Sequence, residues 1–215
     1  MSTPPDTISV WGIVLAAGTG SRFGGPKHTM HLQGKPLWVW ARDTLFAAGV
    51  SHVVLVGNVP GGVPGGNRRR DSVASGLAEV PEDADFILVH DASRPLASQA
   101  MVESLIQALL ERDADGVVPA VPVRDTLKEV VRNGVVSRTV PRDRLVAVQT
   151  PQAFRANALR AAHVSSEEDA SDDAVMVERN GGRVVIVPGD PRNLKVTFPE
   201  DLAVVRALAK EREDT

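Results

Sequence analysis

The sequence predicts an α/β fold in which a mostly parallel sheet is covered by helices on both faces. Short, continuously apolar segments alternate along the chain with longer segments of helical periodicity. Continuous apolar runs are typical of strands buried on both faces, as in parallel sheets. The chain has 215 residues, of which 43% are hydrophobic and 24% charged, so it can form a globular core. We expect a single domain over residues 1–215.

Each element of this fold follows from a local pattern. The predicted strands are the apolar runs at 11–17, 52–56, 86–90, 116–121 and 184–187. The predicted helices lie at 37–48, 71–79, 99–112, 156–163, 174–180 and 199–210. The last helix has the clearest start, because Pro199 presets the backbone and two acids follow at the positive end of the helix dipole. The sequence Ser-Asp-Asp at 171–173 is typical of a helix start, which is a sufficient interpretation of its acids.

One segment interrupts the alternation of strands and helices. Asn133-Gly134 lies between two β-branched runs at 125–131 and 135–140, which is a strong hairpin signal. An isolated hairpin is marginally stable in water, so another surface must cover it. The residues leave two possibilities open. The hairpin, over 124–142, folds back on its own domain, or it is an arm that pairs with another subunit.

A glycine-rich turn with two cations follows the first strand. Gly18 and Gly20 allow backbone N–H groups to approach an oxyanion, and Arg22 and Lys27 can place positive charge beside it. A dinucleotide fingerprint is disfavoured, because Phe23 stands where its third glycine belongs. A Walker A loop is disfavoured as well, since Lys27 is followed by histidine rather than by Ser or Thr. The turn therefore suits a polyphosphate, although a plain strand-to-helix turn is the simpler reading.

Two further motifs fall beyond the carboxyl ends of predicted strands, where ligands bind in open α/β sheets. The segment 65–73 carries two glycines, three arginines and a helix start at Asp71 or Ser72, which suits a base edge or a phosphate but also a solvated linker. Asp91 ends the third strand, where it could meet a metal ion or a substrate hydroxyl, or simply pair with Arg94. His90 is interpreted as a packing residue. Weaker polar signals lie at 122–126, Arg142, 150–152 and 193–197.

Composition narrows the classes of function. A net charge of −3, from 24 basic and 27 acidic residues, disfavours a general nucleic-acid binder. The chain has no cysteine, which excludes disulfides, thiolate metal sites and cysteine nucleophiles. No apolar run is long enough for a membrane span. Residues 1–8 contain no signal-like segment, so we expect a disordered lead-in to a cytoplasmic protein.

Taken in order, the motifs resemble those of the 2-C-methyl-D-erythritol 4-phosphate cytidylyltransferases of the non-mevalonate isoprenoid pathway. The matching blocks run from Val14 to Leu202: LAAGTGSR with PK, GGNRRRDSV, VHDASRP, PVRDTLK, TVPR, TPQAF, SDDA and NLKVTFPEDL. The resemblance implies a Rossmann-like α/β fold and a homodimer joined through the hairpin arms. It also implies CTP and methylerythritol phosphate as substrates and a divalent cation, usually Mg²⁺, as cofactor.

The resemblance also implies roles for individual residues. Arg22 and Lys27 would stabilise the transition state, while Arg142 from the partner's arm and Lys195 would position the attacking phosphate. The nucleotide-binding residues would be Ala16, Ala17, Gly18, Thr19 and Gly20 at the triphosphate, Gly66, Asn67 and Ser72 at cytosine, and Ala92 near the ribose. The polyol phosphate and metal region would be lined by Asp91, Arg94, Thr126 and Thr150.

Some positions depart from the family pattern. The stretch between Arg22 and Lys27 is shorter than usual, and His28 replaces a common glutamine. Asn67 stands where some relatives have aspartate. A cytidylyltransferase for another polyol phosphate, such as ribitol 5-phosphate, is the nearest alternative. Ala17 favours methylerythritol over it, because that sister family often has glycine there. A nucleotide-binding module without catalysis is a more remote alternative, and a nicotinamide-dependent oxidoreductase is the least favoured.

Overall fold

The computed structural model describes residues 8–18, 20, 25, 30–165 and 168–213. Eleven strands and six helices lie in this part of the chain. The strands are β1 Val10–Leu15, β2 His31–Leu32, β3 Lys35–Pro36, β4 His52–Val56, β5 Phe86–Asp91, β6 Gly116–Pro122, β7 Leu127–Val130, β8 Val136–Val140, β9 Val146–Val148, β10 Gln152–Arg155 and β11 Val184–Pro188. The helices are α1 Leu37–Ala47, α2 Arg69–Leu77, α3 Gln99–Glu111, α4 Ala156–Ser165, α5 Asp173–Arg179 and α6 Pro199–Glu213. All five predicted strands and all six predicted helices are present, with ends that differ by a few residues.

The central sheet is mixed but mostly parallel. Its strand order is β11-β6-β10-β5-β1-β4, and β9 adds to β6 from outside this path. The pairs β1–β4, β1–β5 and β6–β11 are parallel. The strand β10 is antiparallel to both of its neighbours, β5 and β6. Sequence analysis missed β10, because four residues after a proline carry too little periodicity to indicate a strand.

Helices cover both faces of the sheet, which confirms the predicted fold class. One apolar cluster packs α1 and α3 on one face, where Leu45 and Leu105 are fully buried. A second cluster packs α2, α4 and α5 on the other face, around Ile13 and Phe154. A third, smaller cluster joins α6 to the start of α1. The apolar runs are continuous because successive side chains of β1 enter opposite clusters. None of the described helices is long and apolar enough to cross a membrane.

The predicted hairpin is present as a separate two-stranded sheet of β7 and β8. Asn133 and Gly134 have φ angles of 66° and 75°, the left-handed region that an Asn-Gly turn supplies at low cost. Four valines of the hairpin (130, 131, 135 and 136) are each more than half exposed. Within the part of the chain that the structure describes, no apolar surface covers these valines. Residues 124–142 therefore form an exposed arm.

Candidate active site

The strand ends bring the predicted motifs to one edge of the sheet. Leu15 at the end of β1 pairs with Val56 of β4 on one side and with Asp91 of β5 on the other. The turns that follow these three strands therefore start side by side. The antiparallel strand β10 begins at this edge as well, because Gln152 pairs with Val89. Thr150, two residues earlier, thus lies next to Asp91.

Backbone contacts hold the three turns close together. Ala16 N–H donates to the Val56 carbonyl at 2.7 Å, and Ala92 N–H donates to the Leu15 carbonyl at 3.0 Å. Gly57 has a φ of 141°, and a Cβ there would lie 2.5 Å from the carbonyl carbon of Ala16. Only glycine fits this position. Ala16, Ala17 and Gly18, the described part of the predicted phosphate turn together with Gly20, thus pass directly beside the turn after β4.

A cavity of about 410 Å³ lies between these turns. Its walls include Ala17, Gly57, Pro64, Gly65 and Gly66. Glycine is required here because a Cβ on Gly65 would lie 2.2 Å from Cβ of Ala17. The cavity is therefore bounded largely by backbone, which offers amide and carbonyl groups at short range to a planar ligand.

The start of α2 fixes one wall of that cavity. Ser72 is buried, and its hydroxyl accepts a hydrogen bond from Gly66 N–H at 3.1 Å while donating to the Arg68 carbonyl at 3.3 Å. The Asp71 side chain accepts from Arg68 N–H at 3.1 Å. This N–H, at the residue before α2, has no carbonyl partner within the helix, so Asp71 caps the helix start. Ser72 thus anchors the loop that carries Gly66. The predicted base-contacting residue Asn67 is exposed at the same loop.

Asp91 is the centre of a charged cluster beside the cavity. Lys195 Nζ lies 2.6 Å from Asp91 Oδ2, and Arg69 Nη2 lies 3.7 Å from Asp91 Oδ1. Burial works to raise the pKa of the Asp91 carboxyl, but the charges of Lys195 and Arg69 lower it well below its ordinary value. Asp91 is therefore ionised at neutral pH. Its close ion pairs are with Lys195 and Arg69, whereas the neighbouring Arg94, the pair suggested by the sequence, acts on it only as a weaker, more distant charge.

Buried hydrogen bonds fix Thr150 and Arg94 next to Asp91. The Thr150 hydroxyl accepts from Asp91 N–H at 3.0 Å and lies 3.0 Å from His90 Nδ1. The hydroxyl can still either donate to His90 Nδ1 or accept from it, according to which ring nitrogen carries the proton. Asn193 Nδ2 donates to the Thr150 carbonyl at 2.9 Å, and the Asn193 carbonyl accepts from Arg94 Nη1 at 2.8 Å. Asn193, a weak signal in the sequence, therefore joins the two predicted substrate-binding residues.

His90 is fully buried, in agreement with its interpretation as a packing residue. Burial lowers its pKa to about 4 and outweighs the nearby negative charge of Asp91, which works in the opposite direction. The imidazole is therefore neutral at pH 7. In the neutral ring, Nδ1 pairs with the Thr150 hydroxyl as acceptor or as donor, according to the tautomer.

The structure does not unite all the predicted residues. Thr19, Arg22, Lys27 and His28 lie outside the described residues, and of the shortened stretch between the two cations only Gly25 is described. Thr126 and Arg142 are exposed on the arm, and the Arg142 side chain donates to the Arg124 carbonyl. Among the described contacts, neither residue reaches the Asp91 cluster. Ala92 is buried directly after Asp91, where it lines the same edge.

A larger cavity, of about 750 Å³, lies at the opposite end of β5 beside Phe86. The two arginines that line it donate hydrogen bonds to carbonyls at the ends of helices. Arg155 donates to the Leu109 carbonyl of α3 at 3.1 Å, and Arg160 donates to the Leu77 carbonyl of α2 at 3.1 Å. These bonds satisfy carbonyls that a helix end leaves free. The Asp91 edge, where titratable groups converge, is therefore the candidate active site.

Comparison with known proteins identifies the family. A model of the 2-C-methyl-D-erythritol 4-phosphate cytidylyltransferase family matches residues 10–211. The chain belongs to this family. A cytidylyltransferase of this name from Chromobacterium violaceum is 41% identical over 222 residues, which cover 94% of the present chain and 98% of the relative. The cytidylyltransferase structure from Thermus thermophilus has a TM-score of 0.78 at 31% identity and covers 92% of this chain and 98% of that chain.

Some relatives in the cytidylyltransferase family are longer proteins. The bifunctional enzyme IspD/IspF from Nitratidesulfovibrio vulgaris is 42% identical over 231 residues, which are 93% of this chain but 58% of that relative. The chain thus spans little more than half the length of these bifunctional relatives. The family match confirms the resemblance found in the sequence, and the structural match confirms the fold class.

Proposed function

We propose that the protein transfers CMP from CTP to 2-C-methyl-D-erythritol 4-phosphate, giving 4-diphosphocytidyl-2-C-methyl-D-erythritol and pyrophosphate. The observation that carries this proposal is the family match over residues 10–211, which includes both the glycine-lined cavity and the Asp91 cluster. A base-sized cavity beside a charged cluster suits a reaction that joins a nucleotide to a second anionic substrate.

The cavity serves the nucleotide. Cytosine enters it and meets the loop of Gly66 and Asn67, whose geometry Ser72 fixes. The ribose lies towards Ala92, and the triphosphate follows the turn of Ala16, Ala17, Gly18, Thr19 and Gly20. Backbone N–H groups in such a turn can bind phosphate oxygens without an intervening side chain.

The Asp91 cluster serves the polyol phosphate. A buried, ionised carboxylate accepts hydrogen bonds, so Asp91 suits a hydroxyl of the polyol. Arg94 and Thr150 complete this side of the site. Lys195 is 42% exposed in spite of its pairing with Asp91, which leaves ammonium protons for a phosphate. Thr126, at the base of the arm, lies on the approach to this region in the proposed complex.

The reaction needs positioning and charge neutralisation more than acid–base chemistry. A phosphate oxygen of the polyol phosphate, ionised at neutral pH, attacks the α-phosphorus of CTP. A new P–O–P linkage forms, the bond between the α-phosphorus and the bridging oxygen breaks, and pyrophosphate leaves with that electron pair. Two anions must approach each other. Arg22, Lys27 and Lys195 reduce their repulsion, with Arg142 as a fourth cation from the partner's arm.

A divalent cation, Mg²⁺, is the proposed cofactor. Among the described residues, no group of three or more His, Asp or Glu side chains could hold a metal ion. Asp91 has both oxygens directed at cations, so a single protein carboxylate would be a poor metal site by itself. Mg²⁺ is commonly held by substrate phosphates with few protein ligands, which fits these residues. The ion would neutralise triphosphate charge.

The arm supports a homodimer. Its valines lie exposed on a hairpin that has too few neighbours to be stable alone. A second copy of the arm would cover them and place Arg142 at the partner's site. Arg142 points to the arm backbone in one chain, so its proposed role depends on the second chain.

The test is pyrophosphate release with defined substrate pairs. Purified protein is assayed with CTP and Mg²⁺ together with methylerythritol phosphate, ribitol 5-phosphate or no acceptor. With CTP, we expect pyrophosphate release only when methylerythritol phosphate is the acceptor. Release with methylerythritol phosphate should be slower when UTP replaces CTP. Preference for ribitol 5-phosphate would refute the acceptor, and no release with any pair would refute the transferase assignment.

A further inference from the structure

A chain of charged and polar side chains extends from the Asp91 cluster into the interior of the protein. Arg69, in the first turn of α2, donates from Nη1 to Asp173 Oδ2 at 2.7 Å. Its other terminal nitrogen, Nη2, faces Asp91 Oδ1 at 3.7 Å. His163 Nε2 of α4 lies 3.2 Å from the second oxygen of Asp173. The order is His163, Asp173, Arg69, Asp91, Lys195, drawn from three helices, the end of β5 and the loop before α6.

Asp173 is the most enclosed member of this chain. Its side chain is 0% exposed, that of His163 is 5% exposed, and that of Arg69 is 23% exposed. Burial works to raise the pKa of Asp173, but Arg69 and the hydrogen bond from His163 lower it below its ordinary value. A buried carboxylate persists only with such partners. Asp173 is therefore a fixed anion, and it holds one end of the Arg69 guanidinium in place.

The Arg69 guanidinium lies between two carboxylates, that of Asp173 in the interior and that of Asp91 at the site. Nη1 is bound by Asp173, whereas Nη2 is buried and has no hydrogen-bond partner within the described residues. Since Nη2 is only 3.7 Å from Asp91, a small rotation of Arg69 would bring it into direct contact with Asp91. Asp173 opposes that rotation. Asp91 is thereby left to pair closely with Lys195, which belongs to the substrate side of the site.

We propose that Asp173, acting through Arg69, is a positioning residue for the Asp91–Lys195 pair. The inference rests on the proposed function, in which this pair binds the polyol phosphate. Without the Asp173 charge, Arg69 turns fully to Asp91 and competes with Lys195 for it. The polyol and its attacking phosphate then lose their alignment, while the backbone walls of the cavity for cytosine, held by Ser72 and not by the Arg69 side chain, stay intact.

The experiment compares steady-state kinetics of Asp173→Asn with those of the intact enzyme and of Asp172→Asn. Asp172 is a matched control. It loses the same charge one residue away, but it caps α5 and accepts from Gln152, and its charge acts on Arg69 through space more weakly than that of Asp173 and without a hydrogen bond. A mutation remote from the reacting atoms that misplaces the substrate by about 1 Å can lower the rate about 100-fold. We expect Asp173→Asn to raise KM for the polyol phosphate and to lower kcat, by about tenfold to 100-fold together, with KM for CTP within about twofold. Asp172→Asn should lose stability without this asymmetry.

Arg69→Lys provides a second variant in case Asp173→Asn does not fold. Lysine keeps the charge but cannot reach both carboxylates, so the same asymmetry between the two substrates is expected. Unfolding curves of every variant separate kinetic changes from loss of folded protein. Equal changes in both KM values, or no change in a folded variant, would overturn the inference. An intact enzyme that fails to transfer CMP would instead overturn the proposed function.

Discussion

The buried His90 predicts a measurable dependence of stability on pH. Its pKa is about 4 in the folded protein, while an unperturbed histidine has a pKa of about 6.5. As pH falls from 7 to 4, the unfolded chain takes up a proton at this residue and the folded chain does not. The free energy of unfolding must therefore decrease over this interval. The gap between the two pKa values corresponds to about 3 kcal/mol, since each pKa unit equals about 1.4 kcal/mol.

The perturbation is His90→Asn, whose amide can donate to or accept from the Thr150 hydroxyl but does not titrate. Urea unfolding of both proteins is measured between pH 4.5 and 7 at constant ionic strength. The variant should lose about 2 kcal/mol less stability than the wild type over this interval. His31→Asn, at an exposed histidine, is the control and should follow the wild type.

The carboxylates do not obscure this measurement. The pKa values of Asp91, Asp173 and Asp71 are all lowered by folding. A lowered carboxyl pKa gives stability that is present above the ordinary value near 3.8 and is lost only as pH falls below it. Above pH 4.5, the change in the free energy of unfolding with pH therefore reflects mainly the titration of histidine. Parallel pH profiles for the wild type and His90→Asn would refute the reasoning. They would mean that His90 takes up its proton over the same pH interval in the folded protein as in the unfolded chain.

Three further predictions concern the proposed reaction and assembly. Lys195→Ala and Lys27→Ala should each lower kcat by about 100-fold to 1,000-fold, the effect of removing one stabilising donor, and a folded Lys27→Ala protein with near-normal turnover would exclude its role. Gly65→Ala, whose Cβ would meet that of Ala17 at 2.2 Å, should raise KM for CTP more than KM for the polyol phosphate, and unchanged CTP kinetics would place the base elsewhere. Light scattering should give a dimer for the intact chain and a monomer for a variant without residues 129–138, whereas a monomeric intact chain would remove Arg142 as a contributor across subunits.

Much of the fold could be predicted from the sequence because its signals are local. The strands β1 and β5 are largely buried on both faces, so their sequences are apolar except for His90 and Asp91 at the end of β5. The Asn-Gly turn of the arm needs no distant partner to be identified. By contrast, β10 is defined by its two neighbours and not by its own four residues. A strand of this kind cannot be identified until the sheet is assembled.

The candidate site was predictable where a motif lies at a strand end. Asp91 and the turn beginning at Ala16 follow directly from the positions of β5 and β1. Asp173 was missed as a site residue, because its sequence is fully explained by a helix start. Its contact with Arg69 joins residues 104 positions apart, a separation that local patterns do not encode. Likewise, nothing in the local sequence distinguishes the role of Arg69 from the roles of the arginines on either side of it.

The most direct test of the whole account is a crystal structure with the product, 4-diphosphocytidyl-2-C-methyl-D-erythritol. We expect cytosine in the cavity between Ala17 and Gly66, and a polyol hydroxyl within hydrogen-bond distance of Asp91. Lys195 should contact the phosphate that came from the polyol substrate. Cytosine bound outside the cavity, or a polyol remote from Asp91, would contradict the account.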